Sequence, residues 1–161
     1  MNLSEELDEL TILKNRIART MDFREKTVKH PKDQVPEKTF AQLTQEIKDL
    51  ATKATKLKTQ IAVANANTIV FFDGDKLKLC ELILMQGDIR SELASLKKML
   101  GIKDKKSFSS NEGVFDGYHG KDDDTVYQTN RFIVEADVRI LEQRKRTLDR
   151  AIQSANWSAE I

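Results

Sequence analysis

Between Phe40 and Ala64, the residues Phe40, Leu43, Ile47, Leu50, Ala54, Leu57, Ile61 and Ala64 fall at alternating steps of three and four. A period of about 3.5 residues keeps all eight side chains in one stripe along an α-helix, the pattern of a coiled-coil seam. A stripe of that length has to be covered by a second helix of similar length. No other stretch of the chain is as regular, so the rest is read around it.

The covering helix is found upstream. Residues 3–29 carry Leu3, Leu7, Leu10, Lys14, Ile17, Met21, Arg24 and Val28 on a second stripe, with Leu13 able to turn partly inward. Asn2 or Ser4 can cap this helix, and Glu5, Glu6, Asp8 and Glu9 sit where the helix dipole favours negative charge. His30-Pro31 and Val35-Pro36 then bracket a short polar connector. The residue before a proline resists helix, and proline suits the first turn of the next one. A connector so short sends the second helix back along the first. Residues 3–65 are therefore expected to form an antiparallel hairpin with arms of about 40 Å.

Past Asn65-Ala66-Asn67, the run 68–72 is β-branched and aromatic, and Asp73-Gly74-Asp75 is a turn signal, so a short strand is expected. A third helix is expected over 76–100, closed by Gly101. Its first half, including Leu77, Cys80, Leu82, Leu84 and Met85, is apolar nearly all round and calls for burial on more than one side. Residues 103–124 are polar and glycine-rich, which reads as a long exposed or disordered loop. A second strand is expected over 126–134, pairing with the first as a small ribbon. A fourth helix follows over 137–156, capped by Asp137, with Val138, Leu141, Lys145, Leu148, Ile152 and Ala155 on its stripe. The fold class is thus all-α: a single-domain antiparallel helical bundle with a long coiled-coil hairpin and a small two-stranded β-ribbon.

Composition narrows function mainly by exclusion. The net charge is +1, and consecutive segments of the chain carry between −2 and +2, which is no footprint for nucleic acid or an anionic membrane. Cys80 is the single cysteine, so neither an intramolecular disulfide nor a cysteine-rich zinc site is open to the chain. Met1 to Leu10 is acidic and amphipathic rather than signal-like, and no run of apolar residues is long enough to span a bilayer. A cytoplasmic protein with no membrane association is expected.

The layout resembles a small bacterial family labelled septicolysin-like. The likeness is carried by Asn67-Thr68 through Asp88 and by the closing Asn156-Trp157-Ser158-Ala159-Glu160-Ile161. The family brings no established activity or catalytic residues. Its label implies a cytolysin, yet a pore former needs barrel hairpins and a tryptophan-rich tip, and this chain has one Trp and no such hairpins.

The remaining candidate sites have bland readings beside the chemical ones. Cys80, early in a helix, could be a reactive thiol, but a small buried hydrophobe is the favoured reading. His30 and His119 lack ligand partners at zinc spacing. Asp116, Asp122, Asp123 and Asp124 do not follow a calcium-loop pattern, so neither metal nor cofactor is expected. Asn65, Asn67, Asp88 and Asn156 fall at helix ends and could converge as a ligand site, although backbone capping explains them as well. Arg144, Lys145, Arg146 and Arg150, joined by Lys53, Lys56 and Lys58, read as a solvated helix face. Trp157 is expected to plug the end of the core or to contact a second copy. Phe71, Phe72, Leu82 and Met85 join it as candidate interface residues of a homo-oligomer, most simply a dimer. Two functional classes follow: an interaction protein recognising a protein partner through its hairpin, or a small-molecule or enzymatic site around Asn67, Asp88, Asn156 and Cys80.

Overall fold

A computed structural model describes residues 2–30, 34–102 and 128–160. Their order is α1 (Leu3–Thr27), α2 (Phe40–Asn67), β1 (Ile69–Phe72), β2 (Asp75–Lys78), α3 (Leu79–Met99) and α4 (Arg131–Ser158). The molecule is a mostly α bundle with a two-stranded ribbon. It divides into two compact units: Met1–Val70 with Lys78–Cys80 and Gln153–Ile161, and Phe71–Leu77 with Glu81–Ile152.

The first unit is built on the expected hairpin. Asn2 caps α1: its Oδ1 accepts from the Glu5 amide at 2.9 Å, and Glu5 Oε2 accepts from the Asn2 amide at 2.9 Å. Thr39 and Gln42 form the same reciprocal box at the start of α2, so that helix begins after Pro36 rather than at it. Arg16 pairs with Glu46, and Arg24 stacks on Phe40. Higher numbers on α1 meet lower numbers on α2, which fixes the pair as antiparallel. Leu43, Ile47, Leu50, Ala54, Leu57 and Ile61 are all buried, so the central six residues of the seam form its inner face.

On α1 the inward face is not quite the expected one. Leu3, Leu10 and Thr20 are buried, and Leu13, Ile17, Arg24 and Thr27 are half-buried, whereas Lys14 and Met21 are exposed. Leu3, Leu10, Ile17 and Arg24 keep their expected places, and Leu13 and Thr20 lie inward where Lys14 and Met21 were expected. Burying an uncompensated ammonium at position 14 would be costly, whereas Thr20 satisfies its hydroxyl by donating to the Arg16 carbonyl at 2.9 Å. The end of α4 closes this unit beside the start of α1. The Leu3 amide donates to the Ala159 carbonyl at 2.9 Å, next to an antiparallel bridge between Asn2 and Glu160.

The ribbon is real, but its second strand lies elsewhere. β1 turns directly into β2 through Asp73 and Gly74, whose φ angles of 53° and 91° are the positive pair that a tight two-residue hairpin turn demands. The first residues assigned to the third helix are therefore strand, and α3 starts at Leu79. Lys76 and Lys78 point to solvent while Leu77 is half-buried, an alternation that suits a strand edge. The strand expected over 126–134 is corrected too: residues 131–134 open α4, where Asn130 Oδ1 accepts from the Ile133 amide at 3.1 Å. A good cap overrides the β preference of Phe132-Ile133-Val134, and Asp137 lies inside the helix. The expected loop at 103–124 lies outside the described residues.

In the second unit α3 and α4 run antiparallel, since Gln86 pairs with Asp149 and Lys97 with Glu142. Leu82, Ile89 and Leu93 from α3 and Leu100 just past its end are buried, as are Val134, Val138, Leu148 and Ile152 from α4. Gly101, at φ 71°, ends α3 as expected. The Ile102 amide donates to the Lys97 carbonyl and the Gly101 amide to that of Lys98, the two bonds of a left-handed helix stop. The early part of α3 is not covered on every side: Leu84 is 70% exposed.

Candidate functional site

A cleft of the first unit lies where the hairpin turns. It has a volume of about 630 Å³ and opens between the end of α1 and the start of α2, lined in part by Arg16, Arg19, Phe23, Lys26, Val35 and Glu46. Three helical steps build its α1 wall. Arg16, Arg19, Phe23 and Lys26 follow at spacings of three, four and three, so they share one flank of the helix. That flank adjoins the inward face at Ile17, Thr20, Arg24 and Thr27, which explains why it lines the cleft without entering the core.

Glu46 organises the charge there. Its Oε1 accepts from Arg16 Nη2 at 3.0 Å and its Oε2 from Lys38 Nζ at 2.7 Å. The Lys38 hydrogen bond, then that of Arg16, holds the Glu46 carboxyl below the usual range. Arg19 and Lys26 have no carboxylate partner among the described residues; the Lys26 ammonium sits 5.9 Å from the centre of the Phe23 ring. Phe23 is 60% exposed and Val35 82% exposed, so the turn end offers apolar surface beside these two cations. His30 also lines this cleft, and α1 ends before it, at Thr27.

The polar residues singled out in the sequence are distributed differently. Asn65, Asn67 and Asn156 belong to the first unit and Asp88 to the second. Asn67, the last residue of α2, and Asp88 are exposed. Asn65 and Asn156 are half-buried, and each buries its Oδ1 with no hydrogen-bond partner among the described residues. Cys80 is half-buried at the second position of α3 rather than enclosed. Among the described residues no group of His, Cys, Asp and Glu could hold a metal ion. His119 and the four loop aspartates lie outside them.

Of the candidate interface residues, Phe72 and Leu82 belong to the core and Met85 is half-buried, while Phe71 is 72% exposed. Trp157 is 61% exposed and plugs nothing. The basic run on α4 is largely paired within its own unit. Lys145 binds Asp149 at 2.7 Å, Arg146 reaches Glu142 at 4.0 Å, and Arg144 reaches Asp73 at 3.8 Å. Lys97 also binds Glu142 at 2.7 Å across a groove of about 440 Å³ between α3 and α4. Both carboxyls are held below their usual range, Glu142 chiefly by Lys97 and Asp149 chiefly by Lys145.

Comparison with known proteins adds fold and no function. No family model and no curated protein matches the chain. A solved structure described as a functionally unknown conserved protein from Corynebacterium diphtheriae is similar to it, with 19% identity and a TM-score of 0.73, over 100% of this chain and 98% of that one. At that identity the likeness supports the shared architecture alone.

The cleft has no single stretch of sequence behind it, because its two walls are separated by the turn. The sequence reading missed it; the one signal it offered was the Arg16–Arg19–Phe23–Lys26 spacing along the flank beside the seam.

Proposed function

We propose that this chain is a non-catalytic interaction protein whose helical hairpin, packed as a coiled coil, takes hold of a protein partner at its turn end. The observation that carries this reading is the cleft there, with exposed Phe23 and Val35 beside Arg19 and Lys26. The hairpin seam is filled by its own leucines and isoleucines, so these side chains are not needed to close the fold. Burying a large apolar side chain contributes about 1.5–3 kcal/mol, and a partner that covers Phe23 and Val35 gains that stabilisation. The test is a photo-cross-linking residue placed at Val35 in the full chain within its native host. A discrete adduct at Val35, absent when the same residue is placed at exposed Lys53 in mid-α2, supports the reading. Equal labelling at both positions overturns it.

A second reading, a small-molecule site at the other end of the first unit, draws on the unpartnered Asn65 and Asn156 oxygens. A donor from a ligand would satisfy either oxygen. Thermal-shift screening of metabolites decides it: a hit lost in Asn65→Leu and Asn156→Leu supports this site over the hairpin cleft.

We further propose self-association as a dimer, on the exposed Phe71 and Leu84 of the second unit, together with a cytoplasmic location and the septicolysin-like kinship of the Asn67–Asp88 stretch. Among the described residues no helix is long and apolar enough to cross a membrane.

A further inference from the structure

The reading of the hairpin as a recognition module leaves the chemistry of the partner open, and the α1 wall of the cleft narrows it. Arg19, Phe23 and Lys26 present cation, aromatic ring and cation along one flank. Arg19 and Lys26 are seven residues apart, so their Cα atoms are separated by about 10 Å along the helix axis. The ring stands between them. Across the cleft, Glu46 is already satisfied by Arg16 and Lys38, so of the lysines and arginines lining it Arg19 and Lys26 are the two without a carboxylate among the described residues. We infer that the cleft takes an acidic amphipathic helix of a partner protein, with carboxylates two turns apart and one large apolar side chain between them.

Each part of that description answers a feature of the wall. Carboxylates at i and i+7 of a helix lie about 10 Å apart along its axis and face Arg19 and Lys26 together. An apolar residue at i+3 or i+4 then meets Phe23, the anchor spacing by which helices are held in grooves. A cleft of about 630 Å³ accommodates one large side chain and its neighbours. Nucleic acid is disfavoured, because a phosphate backbone needs a continuous basic track and Arg16 and Lys38 of this cleft are already held by Glu46. A free phosphate at the start of α2 is disfavoured as well, since the Gln42 amide there is already held by Thr39 Oγ1.

The inference rests on the hairpin reading but fails separately from it. A displayed library of random 16-residue peptides is selected on the full-length chain at low salt, and the enriched peptides are titrated against wild type, Phe23→Ala and the double variant R19E/K26E. All three positions are exposed, and melting curves confirm that the variants are folded. The expected result is enrichment of peptides with two carboxylates seven residues apart around an apolar residue. Their affinity should fall about tenfold or more in R19E/K26E and weaken as salt is raised. Peptides that lose affinity in Phe23→Ala but show no acidic enrichment would overturn the inference and leave the hairpin reading standing. Acidic peptides bound equally by wild type and both variants would overturn both, as would a selection that enriches nothing on the wild-type chain.

Discussion

Arg16 on α1 and Glu46 on α2 meet at 3.0 Å across the hairpin, and the same carboxylate takes Lys38 at 2.7 Å on its other oxygen. One acid thus ties both arms together beside the cleft. Its folded-state pKa lies below its ordinary value of 4.5, so the ionised form favours the folded protein. That contribution is fully present above the ordinary value and is lost as pH falls through the depressed folded one. Glu46→Gln should lower the melting temperature slightly at neutral pH, and the gap to wild type should close on acidification. High salt should narrow it too, because the arginine and lysine are largely exposed. A gap that widens in acid would contradict this assignment.

The register of α1 can be tested by paired truncations. Leu50→Ala removes a buried seam residue and should cost about 2–5 kcal/mol in denaturant unfolding. Met21→Ala, on the stripe expected from sequence but exposed in the fold, should cost about 0.5 kcal/mol or less. Comparable costs at both positions would restore Met21 to the seam.

Two glycines should respond in opposite directions to alanine. Gly74 holds φ at 91° with open space where a Cβ would stand, so Gly74→Ala meets only backbone strain, about 1–2 kcal/mol of destabilisation. Gly87 is helical with equally open space, so Gly87→Ala should stabilise by about 0.5–1 kcal/mol. Thermal melts by circular dichroism measure both.

Dimer formation predicts a scattering mass near twice 18.4 kDa at micromolar concentration. Leu84→Glu places a charge on the exposed apolar patch and should return the mass to that of one chain. A wild-type mass of one chain would refute the dimer.

Much of this architecture was legible in order along the chain, and what was legible was local or periodic. The seam from Leu43 to Ile61 specified a helix and the need for a partner of equal length, because only one face of a 3.5-residue repeat can be apolar. Gly101 specified a helix stop, and Asp73-Gly74-Asp75 specified a turn after the first strand, although the strand on its far side was read as helix. Tertiary structure decided the rest. On α1, the stripe through Lys14 and Met21 and the one through Leu13 and Thr20 differ by a single helical position. Packing against α2 selected the second, where no lysine is buried. The stretch Phe132-Ile133-Val134 has β-forming side chains, yet the Asn130 cap and the burial of Val134 and Val138 drew it into α4. Early α3 has a sequence that calls for burial all round, but the fold covers Leu82 and leaves Leu84 in solvent. The cleft at the hairpin turn had no sequence of its own to announce it. Its cations sit on one arm and their apolar neighbour Val35 beyond the turn, and only the folding back of α2 on α1 brings them to one surface.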